Sequence, residues 1–519
     1  MRTLRVLLFV PCVSLVGCDP GSEVKPDDSA ADTDTDTDAD TDSDTDTDTD
    51  ADADTDTPTG ETWYQDSDGD GYGDADGTTT ADSPPDGYVD NAEDCADDDA
   101  TAYPGSHATE VPGDGVDQDC DGLDACRDLN CDGWPDTVFA QTDLDGDYST
   151  DSLIYLGSES GYPTDATWTV PTVGAMGADA GDFDQDGYVD LVFASVQDGE
   201  DREIDSYVYY GSAKGFSEER RTALPTIGCA APTAADVDQD GWIDLVFSNR
   251  YRGGTPSIET YSIDSYVYWG SAEGFSEDER LGLPTIGAAR SRVVDLNQDG
   301  RNEIVFANGV TEFFFTNSSY IYWGTDEGWG EDGRTELTTV FPEGLAVGDL
   351  NGDDNMDVFF TSWMCVLFCG EASNIYYGDM AGNFGDDYVQ LQEAVGGTDA
   401  QLADLDGDGW LEIVLSNGGI EWDTSFADTS YVYWGSASGY SDDRRTQLTT
   451  TAASEAGVRD LDGDGWQDIV FASHYEPSDG GAEVSQIYWG SADGFDQSNL
   501  TELPTTHAAG LVVVGSIYP

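Results

Sequence analysis

Oxygen-bearing side chains recur at positions 1, 3, 5 and 9 of a nine-residue loop, seven times along the chain. The sets are Asp128, Asn130, Asp132 and Asp136; Asp182, Asp184, Asp186 and Asp190; Asp236, Asp238, Asp240 and Asp244; and Asp295, Asn297, Asp299 and Glu303. The last three are Asp349, Asn351, Asp353 and Asp357; Asp404, Asp406, Asp408 and Glu412; and Asp460, Asp462, Asp464 and Asp468. Their first residues stand 54, 54, 59, 54, 55 and 56 positions apart. Oxygens gathered from one short loop suit a hard cation that takes six to eight of them, which is Ca²⁺. Glycine at position 6 lets the backbone turn sharply. The fifth copy departs, with Asp354 in that place. One such loop reads equally well as a solvated Asp-Gly turn. Seven copies with one ligand spacing read as Ca²⁺ sites.

The elements that must position these loops follow from what flanks them. An EF-hand needs a bidentate Glu at position 12 and helices on both sides. Position 12 here is Phe139, Phe193, Phe247, Phe306, Phe360, Leu415 or Phe471, inside apolar runs such as Leu191-Val-Phe193-Ala. Such runs read as buried strands. A second strand follows with a fixed ending, as in Val267-Tyr-Trp-Gly270 and Ile487-Tyr-Trp-Gly490. A Gly-aromatic turn comes next, as in Gly215-Phe216, then a short segment such as Thr222-Ala-Leu-Pro-Thr226. A small-residue strand such as Gly344-Leu-Ala-Val-Gly348 precedes each later loop. Four short strands per period, without helical periodicity, predict an all-β fold with the blades of a β-propeller. The segment Ala509-Gly-Leu-Val-Val-Val-Gly-Ser516 resembles the pre-loop strand but has no loop after it. Ring closure explains it, with this strand completing the first blade and making seven.

In combination, the acidic loops, the Tyr-Trp-Gly strands and the Gly-Phe turns of residues 128–519 resemble FG-GAP/VCBS repeats, the blades of the integrin α-subunit propeller and its bacterial relatives. The resemblance implies Ca²⁺ in the loops and a role in adhesion or ligand binding. The other integrin domains are not in this sequence, so a cell-matrix role does not carry over.

Residues 1–17 read as a signal peptide: Met1-Arg-Thr-Leu-Arg5 is basic and a short apolar core follows. Leu15-Val-Gly-Cys18 resembles a bacterial lipobox, which implies lipidation of Cys18 and an exported lipoprotein at the outer membrane or cell surface. Residues 18–61 are nearly all Asp, Thr, Ala and Ser and read as a disordered, self-repelling stalk. With 18 Lys+Arg against 108 Asp+Glu the net charge is −90, which argues against nucleic acid and anionic lipid surfaces as partners. Membrane attachment is then through the lipid alone.

Cys95 with Cys120, Cys126 with Cys131 and Cys365 with Cys369 read as disulfides of an oxidising compartment. Zinc is the rival, but no Cys-His cluster accompanies them. Cys229 is left over as a buried structural thiol.

Residues 62–122 form a small acidic domain ahead of the propeller of residues 123–519. Asp66, Asp68, Asp70 and Asp74 repeat the ligand spacing, for about seven or eight Ca²⁺ sites in all. With Asp94-Cys-Ala-Asp97, Tyr103-Pro-Gly105, Glu110 and Asp117-Gln-Asp119-Cys-Asp121-Gly122, the segment resembles the MopE-type metal-binding motif of exported bacterial proteins. That motif has a further Cys shortly after the Glu, where Val111-Pro112 stand here. So little apolar content needs staples, and a Cys95–Cys120 bridge with bound Ca²⁺ would supply them in an otherwise irregular domain.

No Ser-His-Asp arrangement, nucleophile elbow or phosphate loop accompanies the three histidines, His107, His474 and His507. The regularly placed acids are accounted for by metal. The chain therefore reads as a binding module and not an enzyme; a polysaccharide lyase or glycosidase, or a purely structural surface protein, are the competing readings. The connections away from the acidic loops vary and carry aromatics: Tyr251, Phe314, Trp363, Trp422 and Tyr475. They either dock a surface carbohydrate or protein or pack as a plug over the axis.

Overall fold

The computed structural model describes residues 61–104, 111–112, 116–118, 120, 125–143, 146–255, 257–309, 317–363, 373–385, 388–391, 394, 396–418, 429–474 and 483–515. The leader, Cys18, the stalk, Glu110, Phe314, Cys365, Cys369, Trp422, Tyr475 and Ser516 lie outside them.

Seven four-stranded antiparallel sheets carry the repeats. This is an all-β fold built of the units that make a propeller. In each sheet a lead strand pairs with the strand that leaves the acidic loop, and two more strands follow in order. The second sheet runs Ala175–Gly181, Asp190–Ser195, Glu203–Tyr209 and Arg221–Ile227. The first sheet takes its lead strand from the far end of the chain: Ala508–Val514 pairs antiparallel with Asp136–Gln141.

The strand after each loop is the most buried. Asp190–Ser195, Asp244–Asn249, Glu303–Asn308, Glu412–Asn417 and Asp468–Ser473 are buried at every residue. Both faces of such a strand are covered by neighbouring sheets, which is why the sequence there does not alternate. Apolar clusters fill each gap between successive sheets, for example Phe193 and Tyr209 against Val138 and Ile154. One cluster joins the seventh sheet to the first, with Val470, Ile487 and Leu503 against Phe139, Tyr155 and Leu511.

The recurrent Tyr of the third strand ties neighbouring sheets together. Tyr268 Oη donates to the Pro225 carbonyl at 2.7 Å and Tyr322 Oη to the Pro284 carbonyl at 2.5 Å, both in the last strand of the preceding sheet. Tyr155 in the first sheet reaches the Pro504 carbonyl of the seventh in the same way. Proline is tolerated there because an outer strand has no further neighbour to receive its N–H.

The lead strands touch in sequence from the second sheet to the seventh, and Ala508–Val514 touches both the seventh and the second. A glycine makes one of these contacts: a Cβ on Gly510 would lie 2.5 Å from Gly177 Cα. Elsewhere charge fills the space. Arg290, in the fourth lead strand, is 3.2 Å from Asp399 of the sixth and 2.6 Å from Glu455 of the seventh. Arg250 grips Glu343 with both guanidinium nitrogens. Buried ion pairs are weak sources of net stability, but removing one partner leaves an uncompensated buried charge and is strongly destabilising. Arg290 joins lead strands that are not neighbours in the chain.

Two differences from the sequence reading concern local structure. Residues 61–89 are not irregular: Glu61–Gln65 pairs with Asp74–Ala81 and with Tyr88–Val89 in a three-stranded sheet. Its alternation is faint because little of it is buried; only Trp63 falls in the core. A single helical turn, Ile258–Tyr261, also forms, with Ser257 and Thr260 bonding reciprocally as a capping box. It is too short to show helical periodicity.

Candidate metal centres

Each loop is pinned from below by its second residue. Leu129, Phe183, Val237, Leu296, Leu350, Leu405 and Leu461 are all buried. The first carboxylate then accepts the N–H groups of the turn: Asp182 takes Asp186 N at 3.1 Å and Gly187 N at 2.9 Å. Position 6 lies in the left-handed region, at φ 86 for Gly187 and φ 65 for Asp354, so the fifth loop keeps the turn without glycine.

The ninth acid is the keystone. One oxygen of Asp190 accepts Phe183 N at 2.7 Å and the other accepts Gly211 N at 2.7 Å. The same pair of bonds recurs at Asp136, Asp244, Glu303, Asp357, Glu412 and Asp468. This explains the glycine that follows the third strand of every sheet, as Gly211 follows Tyr209-Tyr210. It brings its N–H to the acid from so near that a Cβ on Gly211 would sit 2.3 Å from the Val189 carbonyl oxygen.

Burial first, and the neighbouring carboxylates after it, push these acids upward. Asp190, Asp244, Glu303, Glu412 and Asp468 rise to about 7, Asp357 to about 6 and Asp136 to about 9. A carboxylate in that setting takes either a proton or a cation. Oxygens of positions 1, 3 and 9 come within 4.8 Å of one another in three loops: Asp182, Asp184 and Asp190; Asp236, Asp238 and Asp244; and Asp404, Asp406 and Glu412. The fifth-position carboxylates bond the turn, as Asp240 does with Trp242 N at 2.9 Å. Asn130 and Asn351, at position 3, each give the amide nitrogen to the fifth-position acid and keep a buried Oδ1 that accepts no hydrogen bond. A buried oxygen that accepts no hydrogen bond suits a cation as its partner, so these residues fit Ca²⁺.

The small N-terminal sheet gathers carboxylates in a similar way. Asp66, Asp68 and Asp70 meet within 4.8 Å. Asp74 accepts Asp76 N at 2.8 Å. Asn91 and Asp94 come in from the next segment. Asn91 Nδ2 donates to the Gly71 carbonyl at 3.0 Å, and burial together with Asp70, Asp68 and Asp97 raises Asp94. Asp68 Oδ2, Asp70 Oδ2, Asn91 Oδ1 and Asp94 Oδ2 are all buried and accept nothing. Spacing within one loop does not reveal Asn91 or Asp94; the adjoining Cys95 was the available signal. Cys95–Cys120 and Cys126–Cys131 are disulfides, with Cα separations of 5.5 and 4.8 Å, and Cys229 is a buried free thiol.

Of the aromatic candidates at the other ends of the sheets, Tyr251 stacks on Tyr261 with centroids 4.8 Å apart, and the Arg202 guanidinium lies 5.5 Å from its ring. Trp363 N donates to the Phe341 carbonyl at 3.0 Å.

Two stretches, 185–247 and 295–360, match the FG-GAP-like repeat. The chain carries FG-GAP-like repeats. The first stretch holds most of the loop at 182–190 and all of that at 236–244, and the second holds the loops at 295–303 and 349–357. Integrin alpha-V of Gallus gallus is 35% identical over 83 residues, a match that spans 14% of this chain and 8% of the integrin. Among solved structures, a protein from Bacteroides fragilis provisionally named a 6-phosphogluconolactonase aligns over 74% of this chain and 98% of its own, at 12% identity and a TM-score of 0.44. A similarly named protein from Bacteroides uniformis aligns over 74% and 100%, at 10% identity and a TM-score of 0.44.

Proposed function

We propose that the chain is an exported, lipid-anchored, Ca²⁺-binding β-propeller of seven blades that acts as a surface binding module for a carbohydrate or protein, and is not an enzyme. The observation that carries this reading is the repeated ninth-position acid, buried and held by two backbone N–H groups beside other carboxylates. It ties a cation site to the junction of two strands in every sheet. In this reading Ca²⁺ rigidifies one end of the blades, and the connections at the other end meet the partner. The contacts of Ala508–Val514 with the lead strands on both sides support closure by the C-terminal strand. In this reading residues 1–17 are the leader, 18–61 the stalk, 62–122 the small metal-binding domain and 123–519 the propeller.

The test is a binding screen of residues 62–519 against glycan arrays and surface proteins, with EDTA or with roughly 5–10 mM Ca²⁺, several-fold above the Kd of about 1 mM of the weakest extracellular sites. Saturable binding that needs Ca²⁺ is the expected result. Turnover of a polysaccharide in the same screen, without retained binding, would replace the module with an enzyme.

The anchor has its own test. Cys18→Ser is expected to abolish incorporation of labelled fatty acid and to release the protein from the membrane fraction, because acyl chains bury about 0.8 kcal/mol per CH₂ and nothing else is called on to hold it. Continued labelling of the variant would place the lipid elsewhere.

A further inference from the structure

The seventh position of the acidic loops is a tryptophan in four of the seven, Trp134, Trp242, Trp410 and Trp466, and a tyrosine in one, Tyr188. In the sixth loop this ring lies on the loop before it: a Cβ on Gly352 would come within 2.6 Å of the Trp410 indole. The fourth loop has Arg301 in that place. Its guanidinium pairs with Asp326 and lies 3.8 Å from Asp299. The space between the third and fourth loops stays open as a cleft of about 440 Å³, bordered by Asp238, Gln239, Asp299, Arg301, Asn302 and Trp329. Sites for small organic ligands have volumes of roughly 300–1,000 Å³.

Trp329 is the largest ring on this border. It takes the place that Phe or Tyr holds in the other six sheets, as Phe275 and Tyr440 do. Its Nε1 donates to the Asn302 carbonyl at 2.9 Å, and its ring packs against Trp269 with centroids 5.8 Å apart. The indole is therefore fixed before a ligand arrives, which lowers the entropic cost of using it. Gln239 supplies an amide. Its counterparts Gln185 and Gln298 give Nε2 to the following loop, at the Gly241 and Asp354 carbonyls, 2.7 and 2.6 Å away. Among the described residues the Gln239 side chain makes no such bond, and it borders the cleft with a donor and an acceptor to offer.

The geometry points to a binding site for a neutral saccharide in this cleft, at the loop-bearing end of the blades and separate from the far connections that meet the partner in the proposed function. A sugar ring has an apolar C–H face that can lie on an indole, and hydroxyls that both donate and accept. Those hydroxyls match a border that mixes the Arg301 and Gln239 donors with the Asp238 and Asp299 carboxylates. An anionic ligand would meet Asp238, Asp299 and Asp326 on a chain of net charge −90. A cationic one would meet Arg301. An aliphatic one would strip water from the polar border without replacing its hydrogen bonds.

The test is saturation-transfer NMR on the full chain in roughly 5–10 mM Ca²⁺, with lactose, cellobiose, maltose and N,N′-diacetylchitobiose as probes. At least one is expected to bind with a Kd of about 1 mM or tighter. Arg301→Trp restores the residue of four other loops and is expected to fill the cleft, weakening binding at least about tenfold. Trp329→Phe keeps the residue type of the other sheets and is expected to weaken binding roughly three- to tenfold, the loss of part of an aromatic contact. Gln239→Gly is the second choice if Arg301→Trp melts early, since Gly352 holds that position in the fifth loop; losing the amide is expected to weaken binding roughly two- to tenfold. No binding by any of the four sugars overturns the proposal. So does binding at full strength in both Arg301→Trp and Trp329→Phe. Binding lost in Tyr251→Ala and kept in Arg301→Trp also overturns it, and places the sugar at the far connections.

Discussion

Removing residues 508–519 is expected to abolish monomeric yield. The deleted segment is an integral strand: it runs from Ala508↔Gln141 to Val514↔Asp136 along the first sheet. Its side chains serve two cores at once. Val514 packs with Val138 and Val189 on one side, and Leu511 packs with Val470 and Phe139 on the other. Burying one Val or Leu side chain is worth about 1.5–3 kcal/mol. Losing several, with the ladder, approaches the 5–15 kcal/mol that holds a typical domain together. Glu455 would also lose Leu511 N, its 2.8 Å donor, while staying buried beside Arg290. The strand Asp136–Gln141, buried at every residue, would become an open edge, which invites aggregation. Size-exclusion yield and melting of residues 62–507 beside 62–519 measure this. A milder probe, Leu511→Ala, is expected to cost about 2–5 kcal/mol by leaving a cavity. Equal yield and stability of the truncated chain would mean that the seven sheets join without this strand.

Stripping Ca²⁺ is expected to lower the melting temperature by roughly 10 °C or more at pH 7.5, since two or three filled sites at a hundredfold excess over Kd each add about 2.7 kcal/mol. The pH dependence separates this from a general salt effect. The ninth-position acids have folded pKa values raised to about 7, as at Asp190, Asp244 and Asp468, above the ordinary carboxylate value of 3.8. A raised carboxylate binds protons more tightly folded than unfolded. Its contribution is complete below about pH 4 and is lost as pH climbs through 7. The Ca²⁺-free protein should therefore melt higher at pH 5.5 than at pH 8. Ca²⁺ competes with those protons, so its stabilisation should be largest at pH 8 and shrink at pH 5.5. A Ca²⁺-free melting temperature that rises from pH 5.5 to 8 would contradict the assignment, as would melting unaffected by chelation.

Much of this architecture is legible in the sequence because its signals are local. The oxygens of one cation loop lie within nine residues, as in Asp182 to Asp190, and their spacing is readable wherever the loop sits. The buried strand after it is an apolar run, and the period of the loops counts the units. The C-terminal strand is recognisable because Ala509-Gly-Leu-Val-Val-Val repeats a local pattern already met before each loop. The glycine that follows each third strand is equally visible, but its purpose is not. Only the fold places Gly211 N against Asp190, 21 residues away, and shows that a Cβ there would strike a carbonyl.

What tertiary structure decided are the contacts whose partners share no period. Arg290 meets Asp399 and Glu455 across 109 and 165 residues because the lead strands of three sheets converge. Asn91 and Asp94 join Asp68 and Asp70, because Tyr88–Val89 folds back onto Glu61–Gln65 and carries the next segment toward the loop. His474 and His507 are unremarkable as isolated residues and become a pair because one ends a strand of the seventh sheet and the other begins the strand that completes the first. Local spacing follows from the stereochemistry of a few consecutive residues and survives in any context. Convergence of distant side chains depends on the packing of whole sheets, and no short stretch of sequence encodes it.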